Sequence, residues 1–129
     1  MTQIEFETKA KSLVRTLINY ISCNEFSEIA KVAKIDSSWC SDGKTQEEGI
    51  KSFEEWIKGQ LQLWAEDYGK DYVIDSYNEN KFNLGILKNN RSFSEYTPTS
   101  YGEDLDFWFE LDIKVNEDNN LSLCFNVNI

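Results

Sequence analysis

The sequence predicts an α+β fold in which three N-terminal helices pack on one face of a curved antiparallel sheet of four to five strands. Apolar residues recur every three or four positions as far as Tyr68, which is the period of helices. After Tyr72 they alternate with polar residues, which is the period of strands. Helices and strands are therefore segregated along the chain, as in α+β proteins. The length of 129 residues indicates a single domain covering residues 1–129.

Three helices are predicted in the first half of the chain. Apolar residues within 6–21 form one stripe, and those within 24–33 form a shorter one. Thr45 and Glu48 have the spacing of a capping box, so we expect the third helix to begin there. Gly69 follows the last apolar residue of this helix and suits its C-terminus.

The second half of the chain predicts strands. Short candidates lie at 72–74, 82–87 and 91–96, and the last of these is followed by a proline. Residues 105–115 and 121–129 alternate strictly between apolar and polar side chains. The Asn- and Asp-rich link between them predicts a long C-terminal antiparallel hairpin with one buried face.

Composition excludes several classes of function. The chain has 23 acidic and 13 basic residues and a net charge of −10, which disfavours nucleic-acid binding and docking on anionic membranes. It has no histidine, which excludes Ser-His-Asp and Cys-His catalysis and histidine metal sites. No apolar stretch approaches a membrane span, and residues 1–7 lack the apolar core of a signal peptide, so we expect a cytoplasmic protein. Cys23, Cys40 and Cys124 fit neither a disulfide framework nor a zinc site and are expected to be buried or half-buried reduced thiols.

The negative charge is concentrated near the C-terminus. Residues 1–64 carry a net charge of −2 and residues 65–129 a net charge of −8. Alternation along residues 104–115 predicts one acidic row on the polar face of a strand, about 26 Å long at ~3.3 Å per residue. The row consists of Asp104, Asp106, Trp108, Glu110 and Asp112.

No cation is expected opposite this acidic row, because the next strand supplies only Ser, Cys and Asn to the same face. Unpartnered like charges destabilise a sheet, and a basic partner protein would neutralise them. The alternative interpretation is that water, and no partner protein, covers this outer face of the sheet. In that case Trp108 is covered within the fold by the first helix or by a loop. A metal site is not expected, because the carboxylates lie in a line and no EF-hand spacing occurs.

Aromatic residues in polar segments are the second candidate feature. Tyr96 and Tyr101 lie in a polar stretch and suit partner recognition, although an ordinary strand connection is the alternative. Trp39, in a turn-rich segment, is interpreted as a loop anchor that reaches the core, and Trp64 as a core residue.

Nothing in the sequence indicates an enzyme. Adjacent carboxylates such as Glu47 and Glu48 belong to helix surfaces and do not face one another. No P-loop, dinucleotide-binding glycine pattern, nucleophile elbow or CxxC motif occurs. We therefore expect no catalytic residues and no cofactor.

The order of elements resembles the nuclear transport factor 2-like, cystatin-like cone fold. The chain is predicted to have two N-terminal helices, then a turn-rich segment around Trp39, then a capped third helix and a terminal sheet. This order of elements matches that fold over nearly the whole chain. The resemblance implies a strongly curved antiparallel sheet that wraps the long helix. It also implies the alternative function of a small-ligand-binding protein or enzyme with a pocket in the cone.

The size, acidity and aromatic content are similar to those of immunity proteins of bacterial toxin systems, including contact-dependent growth inhibition. This resemblance implies a protein that neutralises a basic toxin domain, often a nuclease, by binding it. The expected contacts are the acidic row, with Tyr96 and Tyr101 as secondary contacts. A subunit that only homodimerises through its sheet is a further alternative.

Overall fold

The computed structural model describes residues 1–129 and confirms the α+β class. It has two α-helices, three short 3-10 helices and seven strands. The helices are α1 (Gln3–Ser22) and α2 (Gln46–Tyr68), and the 3-10 helices are Phe26–Lys31, Ser37–Cys40 and Glu79–Lys81. The strands are β1 (Lys34–Ile35), β2 (Phe82–Asn83), β3 (Arg91–Tyr96), β4 (Thr99–Ser100), β5 (Glu103–Asp104), β6 (Trp108–Val115) and β7 (Leu121–Asn128).

Local capping positions both long helices. The Thr2 side chain accepts a hydrogen bond from the Glu5 backbone N–H at the start of α1. Thr45 and Glu48 form the predicted capping box at the start of α2, and Gly69 ends it in the left-handed conformation at φ 70°. The predicted second helix is a 3-10 helix of six residues, so only two of the three predicted helices are α-helices.

The main sheet has five strands in the order β1-β7-β6-β3-β2. It is mixed, because β1 runs parallel to β7, so the prediction of a purely antiparallel sheet is wrong in this respect. The Gln46 side chain holds β1 in place, since it accepts from the Ile35 N–H at 2.8 Å and donates to the Ile35 carbonyl at 2.9 Å. A two-residue strand stabilised by a distant side chain leaves no periodic pattern in the sequence.

Strands β3 and β7 and the antiparallel pairing of β6 with β7 agree with the predictions. Other predicted strands differ from those in the structure. Residues 72–74 form no strand, and only Phe82 and Asn83 of the predicted 82–87 strand pair with β3.

The strand predicted from residue 105 begins at Trp108, because the chain first forms a separate β4–β5 hairpin. Asp75 fixes this hairpin by accepting from the Thr99 hydroxyl and from the backbone N–H groups of Tyr101 and Gly102.

The core lies between the inner face of the sheet and the two long helices. Phe53 of α2 is fully buried, with ring centroids 5.9 Å from Phe109 and 5.1 Å from Phe125. Gly49 permits close packing of α2, since a Cβ there would lie 2.7 Å from the Cys40 sulfur. The opposite, outer face of the sheet is open to solvent at Phe93, Glu95 and Glu110.

None of the helices has the length and apolarity that crossing a membrane requires.

Candidate functional site

The predicted acidic row is divided between two surfaces. Trp108, Glu110 and Asp112 alternate with buried residues on β6 and belong to the outer face of the main sheet. Asp104 lies in β5, where it pairs with Thr99, and Asp106 lies in the connection that precedes β6. The prediction of one continuous row is therefore wrong, because the β4–β5 hairpin interrupts the strand before Trp108.

The outer face contains a shallow acidic depression of about 350 Å³, which we call the outer-face groove. Its side chains come from the segment after β1 and from the three central strands. The residues that define it are Asp36, Phe93, Glu95, Glu110, Asp112, Cys124 and Asn126.

Glu95 and Glu110 face each other across this groove. They are directly paired in the register of β3 with β6, and both are exposed. Neither forms an ion pair, and Glu110 accepts a hydrogen bond from the Asn128 side-chain amide. Like charges directly opposite one another destabilise a strand pair, so this arrangement lowers the stability of the fold.

Sequence reasoning did not identify Glu95 as a site residue. Residues 91–96 form a strand with strict alternation of exposed and buried side chains, which places Glu95 on the face of Glu110. The alternation was visible in the sequence, but the pairing of β3 with β6 was not.

Asp112 has a cationic partner, contrary to the prediction that the acidic row lacks one. Arg91 on β3 donates to it through Nε at 2.8 Å and forms a second, parallel contact through its terminal nitrogen. This hydrogen bonding, together with the charge of Asp112, raises the pKa of Arg91. The prediction considered cross-strand neighbours from β7 only, whereas Arg91 comes from the strand on the other side.

Phe93 is the exposed apolar residue of the groove. Its side chain is 70% exposed, and the Arg91 guanidinium carbon lies 4.8 Å from its ring centroid. The chain therefore already holds one arginine between a carboxylate and an aromatic ring on this face. Glu95 and Glu110 lie beside that arrangement and lack a cation of their own.

Cys124 is the thiol in the groove, and its surroundings disfavour the thiolate form. Burial, with the negative charges of Asp36 and Asp112, raises the pKa of Cys124. A thiol with a raised pKa remains protonated and is a poor nucleophile at neutral pH. Cys40 is also half-buried, as expected. Cys23 is exposed, so the expectation of a buried or half-buried thiol is wrong for this residue.

Trp108 is half-buried within the fold. Its indole nitrogen is inaccessible to solvent and has no hydrogen-bond partner. Its side chain is thus partly covered by the protein itself, and Phe93 is the more accessible aromatic group on the outer face.

The two predicted tyrosine contacts have different environments. Tyr96 is 1% exposed, and its hydroxyl accepts from the Asn78 N–H at 2.9 Å, so the prediction that it contacts a partner is wrong. It is the last residue of β3, where alternation directs it into the core. Tyr101 is 65% exposed at the tip of the β4–β5 hairpin and does not line the outer-face groove.

Trp39 is the predicted loop anchor. Its ring packs edge-on against Phe53, and its indole N–H donates to the Asn126 side-chain oxygen at 2.9 Å. This hydrogen bond positions Asn126 at the groove. Trp64, predicted to be a core residue, is half-buried and stacks on Phe107.

The remaining predicted acids line a second depression of about 170 Å³ at the C-terminal end of α2, which we call the acidic–aromatic pocket. Its main lining residues are Trp64, Tyr68, Tyr72, Glu103, Asp104 and Asp106. Asp104 forms an ion pair with Lys81 at 2.7 Å. No His, Cys, Asp or Glu side chains form a group that could hold a metal ion.

Comparisons of the whole chain support no assignment to a family, since no protein-family model, curated protein or solved structure matches it.

Proposed function

We propose that this chain is an inhibitory binding protein of the immunity type, which neutralises a basic toxin domain through its outer-face groove. The observation that carries the proposal is the facing pair Glu95 and Glu110, which lies beside exposed Phe93 on an uncovered sheet face. A fold that keeps two repelling carboxylates together gains stability when a cation neutralises both. A basic protein surface supplies such a cation.

The internal contact of Arg91 suggests how the partner binds. Arg91 pairs with Asp112 through two nitrogens and lies over the Phe93 ring. An arginine of the toxin can bind Glu95 and Glu110 in the same manner, since guanidinium groups combine paired hydrogen bonds with stacking. Phe93 supplies apolar contact area next to that arginine.

Inhibition then follows from competition for positive charge. A nuclease uses basic side chains to hold the phosphates of its substrate. Carboxylates of this chain occupy those side chains and exclude the substrate. The net charge of −10 speeds association with a basic partner, and desolvated aromatic contacts slow dissociation.

Packing within the core supports a binding surface over the alternative of a ligand pocket inside a cone. Phe53 fills the space between α2 and the sheet through edge-on contacts with Phe109 and Phe125. Trp56 and Phe107 continue this aromatic packing, with ring centroids 5.2 Å apart. Side chains thus occupy the region in which a cone-fold ligand would bind.

The test first determines whether the adjacent upstream gene encodes a large secreted protein, as the proposal expects. The C-terminal domain of that protein is then the candidate toxin. We expect that domain to be basic, to arrest growth when expressed alone, and to be neutralised by co-expression of the wild-type chain. Glu95→Lys combined with Glu110→Lys should abolish protection and weaken binding in calorimetry. Circular dichroism should show an intact fold.

Glu55→Lys combined with Glu117→Lys is the matched control, because it changes the net charge equally at exposed positions outside the groove. This control variant should still protect. Equal affinity of the Glu95/Glu110 variant and the wild type would show that the outer face is not the binding surface. Growth arrest that the wild-type chain fails to relieve would contradict the immunity function itself.

A further inference from the structure

The acidic–aromatic pocket shares no residue with the outer-face groove. Three aromatic rings form its walls. Trp64 and Tyr68 are one helical turn apart on α2, and Tyr72 follows shortly after the helix ends. The Tyr72 ring lies 5.9 Å from Trp64 at 61° and 6.2 Å from Tyr68 at 59°.

These rings are inclined to one another and surround an open volume instead of forming a closed stack. Tyr68 is 69% exposed, so its ring remains accessible. Aromatic faces carry partial negative charge and attract cations that approach them.

Negative charge surrounds the same pocket. Glu103 and Asp106 line it, and neither forms an ion pair or a side-chain hydrogen bond. The negative end of the α2 dipole is adjacent, and no basic residue occupies the last turn of that helix. Aromatic walls, unpaired carboxylates and a helix C-terminus all favour a positively charged ligand.

Lys70 provides an independent observation that this cluster accepts a cation. Its ammonium nitrogen lies 5.3 Å from the Tyr72 ring centroid. Lys70 does not line the pocket and does not pair with Glu103 or Asp106. Tyr72 therefore already contacts one cation of the chain, while the pocket volume itself remains open.

We propose that the acidic–aromatic pocket binds the guanidinium group of an arginine side chain. A guanidinium is planar and weakly hydrated, so it can stack on Trp64 or Tyr72 while it donates to Glu103 and Asp106. The volume of 170 Å³ suits a single side-chain group. It is smaller than the roughly 300–1,000 Å³ of pockets that enclose whole drug-sized ligands.

The arginine comes from a polypeptide, because free arginine would have to desolvate a charged carboxylate and a charged ammonium group beside the pocket, whereas a peptide-linked arginine carries neither. This proposal does not depend on the function of the outer-face groove. An arginine bound here can belong to the same partner or to another protein.

The experiment titrates the intact chain with N-acetyl-arginine methylamide and follows the NMR signals of the Trp64 indole and the Asp106 amide. The citrulline analogue is the neutral isostere, the lysine analogue tests the preference for guanidinium, and free arginine tests the source of the group. We expect saturable shifts with the arginine amide, weaker binding of lysine and of free arginine, and none with citrulline. Equal shifts with citrulline, or no saturation with the arginine amide, would overturn the proposal.

Variants separate the contributions of the walls and the acids. Tyr72→Leu and the pair Glu103→Gln with Asp106→Asn should each weaken binding about tenfold. Tyr72→Phe retains the ring and should bind as the wild type does. The control variant Glu55→Gln with Glu117→Gln changes the net charge as much as Glu103→Gln with Asp106→Asn does, but at positions outside the pocket. An equal loss of affinity in the control variant would show that only the total charge matters. Thermal melts verify that each variant is folded.

Discussion

Tyr77 and Tyr96 stack on each other with ring centroids 5.6 Å apart, but their hydroxyl groups have different environments. The Tyr96 hydroxyl accepts from the Asn78 N–H, whereas the buried Tyr77 hydroxyl has no partner. Burial is also the main reason that the pKa of Tyr77 is raised to about 12. We expect Tyr96→Phe to lower the free energy of unfolding by about 1 kcal/mol, since it leaves an N–H unpaired, and Tyr77→Phe to be neutral or stabilising. Denaturant unfolding measures both, and equal losses would contradict this assignment of the two hydroxyls.

Gly85 and Gly59 differ in the space around them. A Cβ at Gly85 would lie 2.1 Å from the Phe93 carbonyl oxygen, whereas a Cβ at Gly59 on α2 meets nothing within 4 Å. Gly85→Ala should therefore destabilise the protein by about 2 kcal/mol through steric overlap. Gly59→Ala should stabilise it by about 1 kcal/mol through helix propensity. Chemical denaturation of both variants tests the prediction, which fails if Gly85→Ala is as stable as the wild type.

At the scale of elements, the β4–β5 hairpin depends on Asp75. Burial would raise the pKa of Asp75, but hydrogen bonds from Thr99, Gly102 and Tyr101 outweigh this effect and lower it below the ordinary value of 3.8. The stabilisation is therefore complete above pH 3.8 and is lost as the pH falls through the lowered native pKa.

Asp75→Asn should be less stable than the wild type at neutral pH, and the difference should shrink as the pH falls below 3.8. Thermal melts from neutral to acidic pH measure this difference. Since Glu48 and Asp118 also have lowered pKa values, only the difference between variant and wild type isolates Asp75. A difference that stays constant with pH would show that the hydrogen bonds of Asp75 do not require its charge.

At the scale of the whole molecule, the net charge of −10 lowers the free energy of unfolding through repulsion among the acidic side chains, including those on the outer face. Glu95→Gln removes the repulsion with Glu110 and should raise the free energy of unfolding by about 0.5 kcal/mol. The same change should weaken binding of the proposed partner. The charge of Glu95 destabilises the free protein by repelling Glu110, but it attracts the cation of the partner.

Equilibrium unfolding at low and high salt tests the stability effect. The gain from Glu95→Gln should shrink as salt screens the repulsion. Glu117→Gln, at an exposed turn position, is the control and should produce a smaller gain. An equal gain at both positions would show that total charge matters and that the facing pair does not.

The sequence by itself determined the features that depend on neighbouring residues. The capping box of Thr45 and Glu48, the left-handed Gly69 and the alternation in β3, β6 and β7 follow from local geometry and local burial. For that reason the α+β class and the C-terminal hairpin were predictable, as was the outward direction of Glu110 and Asp112.

Only the tertiary structure decided which charged residues meet. The pairing of β3 with β6 brings Glu95 opposite Glu110 and Arg91 next to Asp112, and strand pairing has no signature within either strand. The β4–β5 hairpin, which Asp75 fixes from more than twenty residues away, moves Asp104 and Asp106 out of the row and toward the end of α2. A pattern within one strand gives the face of each side chain, but the neighbours on that face come from distant segments, and those neighbours determine the chemistry of both surfaces.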